Sequence, residues 1–286
     1  MKQPITVIHH SADFDGIFCR EVAKKFLGTE GVEYIGWDFG QPKIPMVPGD
    51  RIYYILDLSP DCLGGDTYDS NRIIWIDHHK SSIEKWPATI PGYRIDGVAA
   101  CRLAWQWFEG VKEALPKNGH FINRQVSEPL AVRLAGEYDI WDKRDPDAEM
   151  FQFGLRSVPG DDLDWKALLH DLDGLYIQSL LENGRLLQRY QQQNDASVVK
   201  YRSFIVEFEG LKFLALNTAR CNSLTFVAKD ITETGHDALM GFYFTGTSWK
   251  FSLYHARNLT GHDLSAIAVK YGGGDIAGRA GSRSRA

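Results

Sequence analysis

RIIWIDHHKS, residues 72–81, is the stretch whose reading decides the fold. Ile73–Ile76 is an unbroken apolar run, too short for a helix, and it stops on Asp77, His78 and His79. A strand that is apolar at successive positions is covered on both faces, which is the habit of a central strand in a parallel sheet. The same pattern recurs upstream. RIYYILDLS (51–59) reaches Asp57 near its end, and ITVIHH (5–10) ends on His9 and His10, with Asp13 and Asp15 close behind. Residues 33–39 form a weaker aromatic and β-branched run. Between the first two runs, residues 16–27 carry Ile17, Val22, Phe26 and Leu27 before Gly28, a helix with its stop signal. Strand and helix in alternation predict an α/β fold on a parallel sheet.

Further along, residues 97–108 and 128–138 read as helices, the second with a proline in its first turn. From Asp161 the texture is helical, over 164–170 and then 172–194. Beyond Lys200 the period becomes two, in YRSFIVEFEG, LKFLALN, ALMGFYF and SWKFSLYH, with a hairpin turn at Thr245-Gly246-Thr247. Asp263 can cap a short helix, LSAIAVKY, which runs into Gly272, Gly273 and Gly274. The expected organisation is a parallel α/β domain over 1–170, a helical linker over 171–200 and a smaller α+β domain over 201–286. The only biased segment is the terminal GRAGSRSRA.

The 286 residues are 44% hydrophobic and 24% charged, values of a chain that can bury a core. A net charge of −5 does not suit neutralisation of a long duplex, so a polyanionic substrate would be small or held by a local cationic site such as a metal. Cys19, Cys62, Cys101 and Cys221 match neither a zinc knuckle nor a redox pair, and read as buried thiols of a reducing compartment. No apolar stretch is long enough to span a membrane, and MKQPITVIHH lacks the pattern of a signal peptide, so the expected location is cytoplasmic.

The acids and histidines gather at the carboxyl ends of the expected strands, the rim where open α/β sheets bind ligands. Taken singly, Asp13 and Asp15 could cap the following helix and the histidines could be satisfied core residues. Taken together, three strands would each need an unrelated reason for charge at a buried edge. Carboxylates converging there repel unless cations sit between them, and mixed oxygen and nitrogen ligands suit manganese, magnesium or zinc.

HHSADFDG, LDLSPD and IDHHKS, in that order and each behind an apolar strand, resemble the first three motifs of the DHH phosphoesterase superfamily. RecJ-like exonucleases, nano-RNases, cyclic-dinucleotide phosphodiesterases and family II pyrophosphatases belong to it. The fourth motif, an aspartate after a helix, is matched by Asp139 in GEYDIWD, with Asp142 the second choice. The resemblance implies two divalent ions, Mn2+ with Mg2+ as the alternative. One would be held by His9 or His10 with Asp13 and Asp57, the other by Asp15, Asp57, His78 and Asp139. Asp57 would bridge, and His79 would face the substrate phosphate. Asp57, His78 and His79 are the implied catalytic residues.

LSAIAVKYGGGDIAGRAG resembles the Gly-rich ending of the DHH-associated domain, with Gly272, Gly273, Gly274 and Arg279 as implied substrate contacts. The match is incomplete. A fourth glycine and a histidine are missing, with Ile276 at the histidine position, and Tyr254 stands where the family has an arginine. A helix end followed by a tail is the plainer reading of the same residues. Asn217 and the arginines 279, 283 and 285 could meet nucleic acid, a turn asparagine and a solvated basic tail being the alternatives; Trp105 and Trp107 belong to packing. The implied activity is hydrolysis of short oligonucleotides or single-stranded ends to nucleoside monophosphates. Cyclic-dinucleotide hydrolysis and a silent nucleic-acid-binding relative are its rivals. The implied partner is a short single-stranded oligonucleotide or nucleotide, with no membrane, and a homodimer is one option for assembly.

Overall fold

The computed structural model describes residues 3–65, 69–110, 127–140, 142, 144–170, 174–219, 235–255, 263–272, 274–276 and 279–285. The chain divides into two compact units, Met1–Leu187 and Gln188–Ala286.

The first unit runs β1 (Ile5–His10), α1 (Phe14–Leu27), β2 (Val32–Trp37), β3 (Ile44–Pro45), β4 (Ile52–Leu56), β5 (Leu63–Gly64), β6 (Ile73–Ile76) and α2 (Lys80–Lys85). It continues through α3 (Ala100–Glu109), α4 (Leu130–Asp139), α5 (Asp147–Leu155), α6 (Trp165–His170) and the start of α7 (Leu175–Arg202). Its main sheet is parallel throughout, in the order β2-β1-β4-β6. The apolar strands are covered on both faces, as their composition requires. Val7, Leu56 and Ile76 pack with Phe18, Val22, Leu103, Val132 and Phe151 of the helices, while Ile8, Ile55 and Trp75 pack with Trp37, Leu58, Cys62 and Ile90 on the other side. Neighbouring positions of one strand thus serve different cores.

Helices α3 and α4 come unusually close at Gly136. A Cβ there would lie 2.8 Å from Cγ and Cδ of Arg102 and 3.0 Å from Cβ of Ala99. Arg102 has little room to yield, because it is buried and paired with Glu128.

The second unit holds the end of α7, then β7 (Ser203–Phe208), β8 (Leu211–Asn217), β9 (Ala238–Phe244), β10 (Ser248–His255), α8 (Leu264–Lys270), β11 (Gly274–Ile276) and β12 (Arg279–Arg285). They form one sheet in the order β11-β12-β10-β9-β8-β7, antiparallel except for the β8–β9 pair. Phe213, Met240 and Leu253 pack against Leu264 and Ala268 of α8; Leu214, Leu216, Leu239 and Tyr254 face the other way, against Val198 and Val199 of α7. Within the biased C-terminal segment, for which a tail is one of the sequence readings, Arg279–Arg285 is a strand paired with β10 from Tyr254↔Arg279 to Ser248↔Arg285. Small and polar residues supply no apolar period, so the ladder is invisible in the sequence.

Three thiols, Cys19, Cys62 and Cys101, are buried and unpaired by disulfides; Cys221 lies outside the described residues. No helix among the described residues is long and apolar enough to cross a membrane.

Candidate metal centre

Strand β1 has β2 on one side and β4 on the other, so the connections leaving β1 and β4 diverge. A crevice opens beyond the carboxyl ends at such a switch point. His10 is the last residue of β1 and points into it. Its Nδ1 lies 2.9 Å from Asp13 Oδ2 and 3.4 Å from Asp57 Oδ2, and its Nε2 lies 3.4 Å from Asp38 Oδ1. Asp13 caps α1, accepting the Gly16 N–H at 3.1 Å through Oδ1. Only a glycine allows this turn to fold so closely onto the strand end, because a Cβ on residue 16 would lie 2.2 Å from the His10 carbonyl oxygen.

Asp57 follows β4 with φ 58°, a left-handed backbone that side-chain-bearing residues avoid. Its N–H donates to the Ile76 carbonyl at 2.9 Å. This turn brings the carboxylate between two histidines, since Oδ1 lies 3.4 Å from His78 Nε2 while Oδ2 faces His10. Observed strain of this kind clusters at functional sites.

Asp15, buried in the first turn of α1, accepts the Ala100 N–H at 2.9 Å and the Cys101 N–H at 2.8 Å. These are the opening amides of α3, unpaired within their own helix, so the helix holds the acid rather than the reverse. Burial and the nearby Asp57 push the Asp15 carboxyl up to about 7. Asp139 is the last residue of α4, where the helix dipole disfavours an anion. Burial and Asp15 push it well above the usual carboxylate range. His78 Nε2 sits among these acids, 3.6 Å from Asp15, 3.4 Å from Asp57 and 3.2 Å from Asp139.

His79 is oriented by Asp77. One oxygen of the buried Asp77 accepts from the His78 N–H at 2.8 Å, the His79 N–H at 3.2 Å and His79 Nδ1 at 2.7 Å. A carboxylate can only accept, so Nδ1 carries its proton and Nε2 is left for another partner. Burial lowers the His79 pKa, but Asp77 and Asp57 raise it by more.

Among the described residues, three groups of side chains bring ligand atoms within 4.8 Å of one another: His10, Asp13 and Asp57; Asp15, His78 and Asp139; and Asp57, His78 and His79. His9 belongs to none of them. It is buried, its Nδ1 lies 2.8 Å from the His10 carbonyl oxygen, and burial pulls its pKa down to about 4. Consecutive residues of a strand face opposite ways, so only one histidine of the pair can reach the crevice. Asp142 also stands outside the groups. Its N–H donates to the Glu137 carbonyl at 2.9 Å and its carboxylate pairs with Arg144.

The donor set fits a divalent cation. His10 Nδ1 and Asp57 Oδ1 are buried without a hydrogen-bond partner, although carboxylate and imidazole atoms lie within 3.4 Å of each. Carboxylate oxygens with one or two imidazoles match manganese, magnesium or zinc. Without such an ion, protons take the role. Burial lowers both imidazoles, yet Asp13 and Asp57 raise His10 to about 11, and Asp57 with Asp15 raises His78 to about 10. A cation must displace those protons, so affinity for Mn2+ should rise with pH between 6 and 8, about tenfold per pH unit for each proton released. Calorimetry in buffers of different ionisation enthalpy counts the protons; a pH-independent affinity would contradict the assignment.

The two candidate fourth-motif acids are separable. Asp139→Asn should lose metal and at least about tenfold in turnover, as loss of a ligand to one ion implies. Asp142→Asn should stay within about threefold of the parent protein, because it breaks only an exposed pair. Metal content and turnover of both variants check this.

Sequence reading missed two contributors. Asp38, one residue beyond β2, faces the second nitrogen of His10, and its place at a strand end was the available signal. The α3 amides that hold Asp15 carry no side-chain signal at all.

The fold resembles that of a solved DHH domain. Over 98% of this chain and 82% of its own length, the DHH domain of a member of the s1p family of ribosomal proteins superposes with a TM-score of 0.55 at 14% identity. A pGpG-specific phosphodiesterase, PggH from Vibrio cholerae, matches over 99% of this chain and 94% of its own, with a TM-score of 0.49 and 14% identity. RecJ from Thermus thermophilus, in complex with Mn2+, matches over 98% of this chain and 49% of its own, with a TM-score of 0.42 and 13% identity. No family model and no curated protein matches the sequence.

Proposed function

We propose that the chain is a metal-dependent phosphoesterase of the DHH superfamily, cleaving phosphodiester bonds of short single-stranded oligonucleotides to nucleoside monophosphates. One observation carries the reading. The Asp57 carboxylate is shared, with Oδ2 toward His10 and Asp13 and Oδ1 toward His78. His10, Asp13 and Asp57 would hold one divalent ion, and Asp15, Asp57, His78 and Asp139 the other. When bound, Mn2+ or Mg2+ would supply a water of lowered pKa and neutralise charge on phosphate oxygens.

The chain's own groups do the positioning. Asp38 orients His10 through its other nitrogen, and the α3 amides fix Asp15, as the partners of metal-ligating side chains do. Asp77 holds Nδ1 of His79, so a protonated His79 presents its Nε2–H to a phosphate oxygen as a charge-assisted donor.

The second unit is proposed to bind the nucleotide through its Gly-rich end. Gly272, with φ 77°, closes α8 by donating to the Val269 carbonyl at 3.0 Å. Gly273 lies outside the described residues, Gly274 opens β11 and Arg279 opens β12, whose side chains lie outside the description. Tyr254, at the position where the family has an arginine, is buried in the core of its unit. A cationic contact with the substrate is therefore lost there, which favours short substrates over long strands.

The test is to incubate purified protein with Mn2+ and end-labelled RNA and DNA of two to ten nucleotides and read the product ladder. Monophosphates released from the shortest substrates support the proposal. Cleavage confined to cyclic dinucleotides would replace the substrate, and binding without cleavage would replace the enzyme with a silent relative.

A further inference from the structure

Beside the metal centre, within the first unit, lies an open pocket of about 350 Å³ that the chemistry above does not use. Its walls include Trp37 at the end of β2 and Phe39 beyond it, Ser59 and Asp61 beyond β4, and Ser82 and Lys85 of α2. These are continuations of the segments that carry the acids and histidines. Ser59 lies two residues past Asp57, and Phe39 is next to Asp38, whose carboxylate faces His10.

Phe39 is the unusual member. It is 64% exposed, yet it stands edge-on to His10 with ring centroids 5.8 Å apart and edge-on to Trp37 at 5.7 Å. Trp37 is buried and anchored, its indole N–H donating to the Pro42 carbonyl at 2.9 Å. An exposed phenyl ring supported from one edge offers a face to something planar. Across the pocket's polar rim the groups are already joined. Lys85 Nζ reaches both oxygens of Asp61 at 2.7 and 2.8 Å, and Ser59 donates to Asp61 at 2.6 Å. Among its described residues the rim therefore presents no free cation for a phosphate, and it retains carboxylate and hydroxyl acceptors for N–H groups. A planar apolar ring with polar edge donors fits that combination, and the pocket volume lies in the range of small-molecule sites.

We infer that this pocket receives a nucleobase of the substrate, stacked on Phe39, next to the phosphate held at the metal centre. The inference deepens the phosphodiesterase reading and rests on it for the position of the phosphate. The base adjoining the scissile bond is seated within the first unit, so recognition of one nucleoside does not depend on the Gly-rich end of the chain. Stacking tolerates every base, because each has a π-face, which suits a site without strong sequence preference.

The experiment compares an adenosine dinucleotide with two versions that each lack one base, using the full chain in Mn2+, for the parent protein, Phe39→Ala and Phe39→Trp. The parent should prefer the intact dinucleotide over one of the abasic versions. In Phe39→Ala that preference should fall about five- to a hundredfold, the range set by loss of one base–aromatic stack, and Phe39→Trp should retain it. A parallel titration follows Trp fluorescence with adenosine 5′-monophosphate and with ribose 5-phosphate. The parent should bind the nucleotide more tightly than the sugar phosphate, and Phe39→Ala should lose the difference. If cleavage is robust but base dependence is absent or unchanged in Phe39→Ala, the pocket assignment is overturned and the phosphodiesterase reading stands. If base-dependent binding persists through Phe39 while no diester is cleaved, the pocket stands and the phosphodiesterase reading falls.

Discussion

Asp57→Asn is expected to reduce turnover about a thousandfold or more and to lower metal content at both halves of the site. The carboxylate takes part in two of the three ligand groups, so one substitution removes charge from both. Electrostatic stabilisation by a metal centre amounts to several kcal/mol, and each 1.36 kcal/mol is tenfold in rate. The choice of asparagine matters because residue 57 has φ 58°. Asparagine is among the few residues that enter the left-handed region readily, so the backbone turn and its bond to Ile76 are retained while the charge goes. Alanine would confound loss of charge with strain. Elemental analysis, circular dichroism and turnover on a dinucleotide separate the two effects. A folded Asp57→Asn protein that keeps its metal and turns over within about tenfold of the parent would contradict the bridging role.

Chelation should abolish hydrolysis, and Mn2+ should restore it. Four carboxylates, from Asp13, Asp15, Asp57 and Asp139, converge on this crevice, relieved in the metal-free protein by protonated His10 and His78 and by the raised pKa of Asp15 and Asp139. Binding to the folded state alone stabilises by about 2.7 kcal/mol at a free concentration a hundred times Kd. For a unit of this size that is about 5–10 °C in Tm. The thermal transition of the first unit should therefore rise with Mn2+ along with activity. Full activity after exhaustive chelation would end the metal-dependent reading.

Much of the candidate centre was legible because its acids and histidines sit where a strand's apolar run stops. Asp57 and His78 need no knowledge of tertiary structure beyond that rule. The choice between His9 and His10 was not legible, since it depends on which face of β1 meets the crevice. Asp15 was legible as an acid near a strand end, but the amides that hold it lie 85 and 86 positions away. A contact at that separation leaves no mark in local spacing. Helix α5 escaped notice because it opens after a charged, Pro-containing stretch, residues 143–146, that reads as a loop. The polar end of α7, read as finishing near residue 194, runs on to Arg202 because Val198 and Val199 are packed by Leu214 and Tyr254 of the second unit.

The crossing of α3 and α4 at Gly136 bears on the dimensions of the metal centre. Gly136 stands one helical turn before Asp139, and Ala99, its neighbour across the gap, stands immediately before the two amides that grip Asp15. Two carboxylates of one candidate ligand group are thus indexed to each other through a point where the helices nearly touch. The approach of the two helices depends there on the absence of one methyl group. A residue with no acid, base or ligand atom in its side chain thus governs how near the helix ends that carry these acids can come.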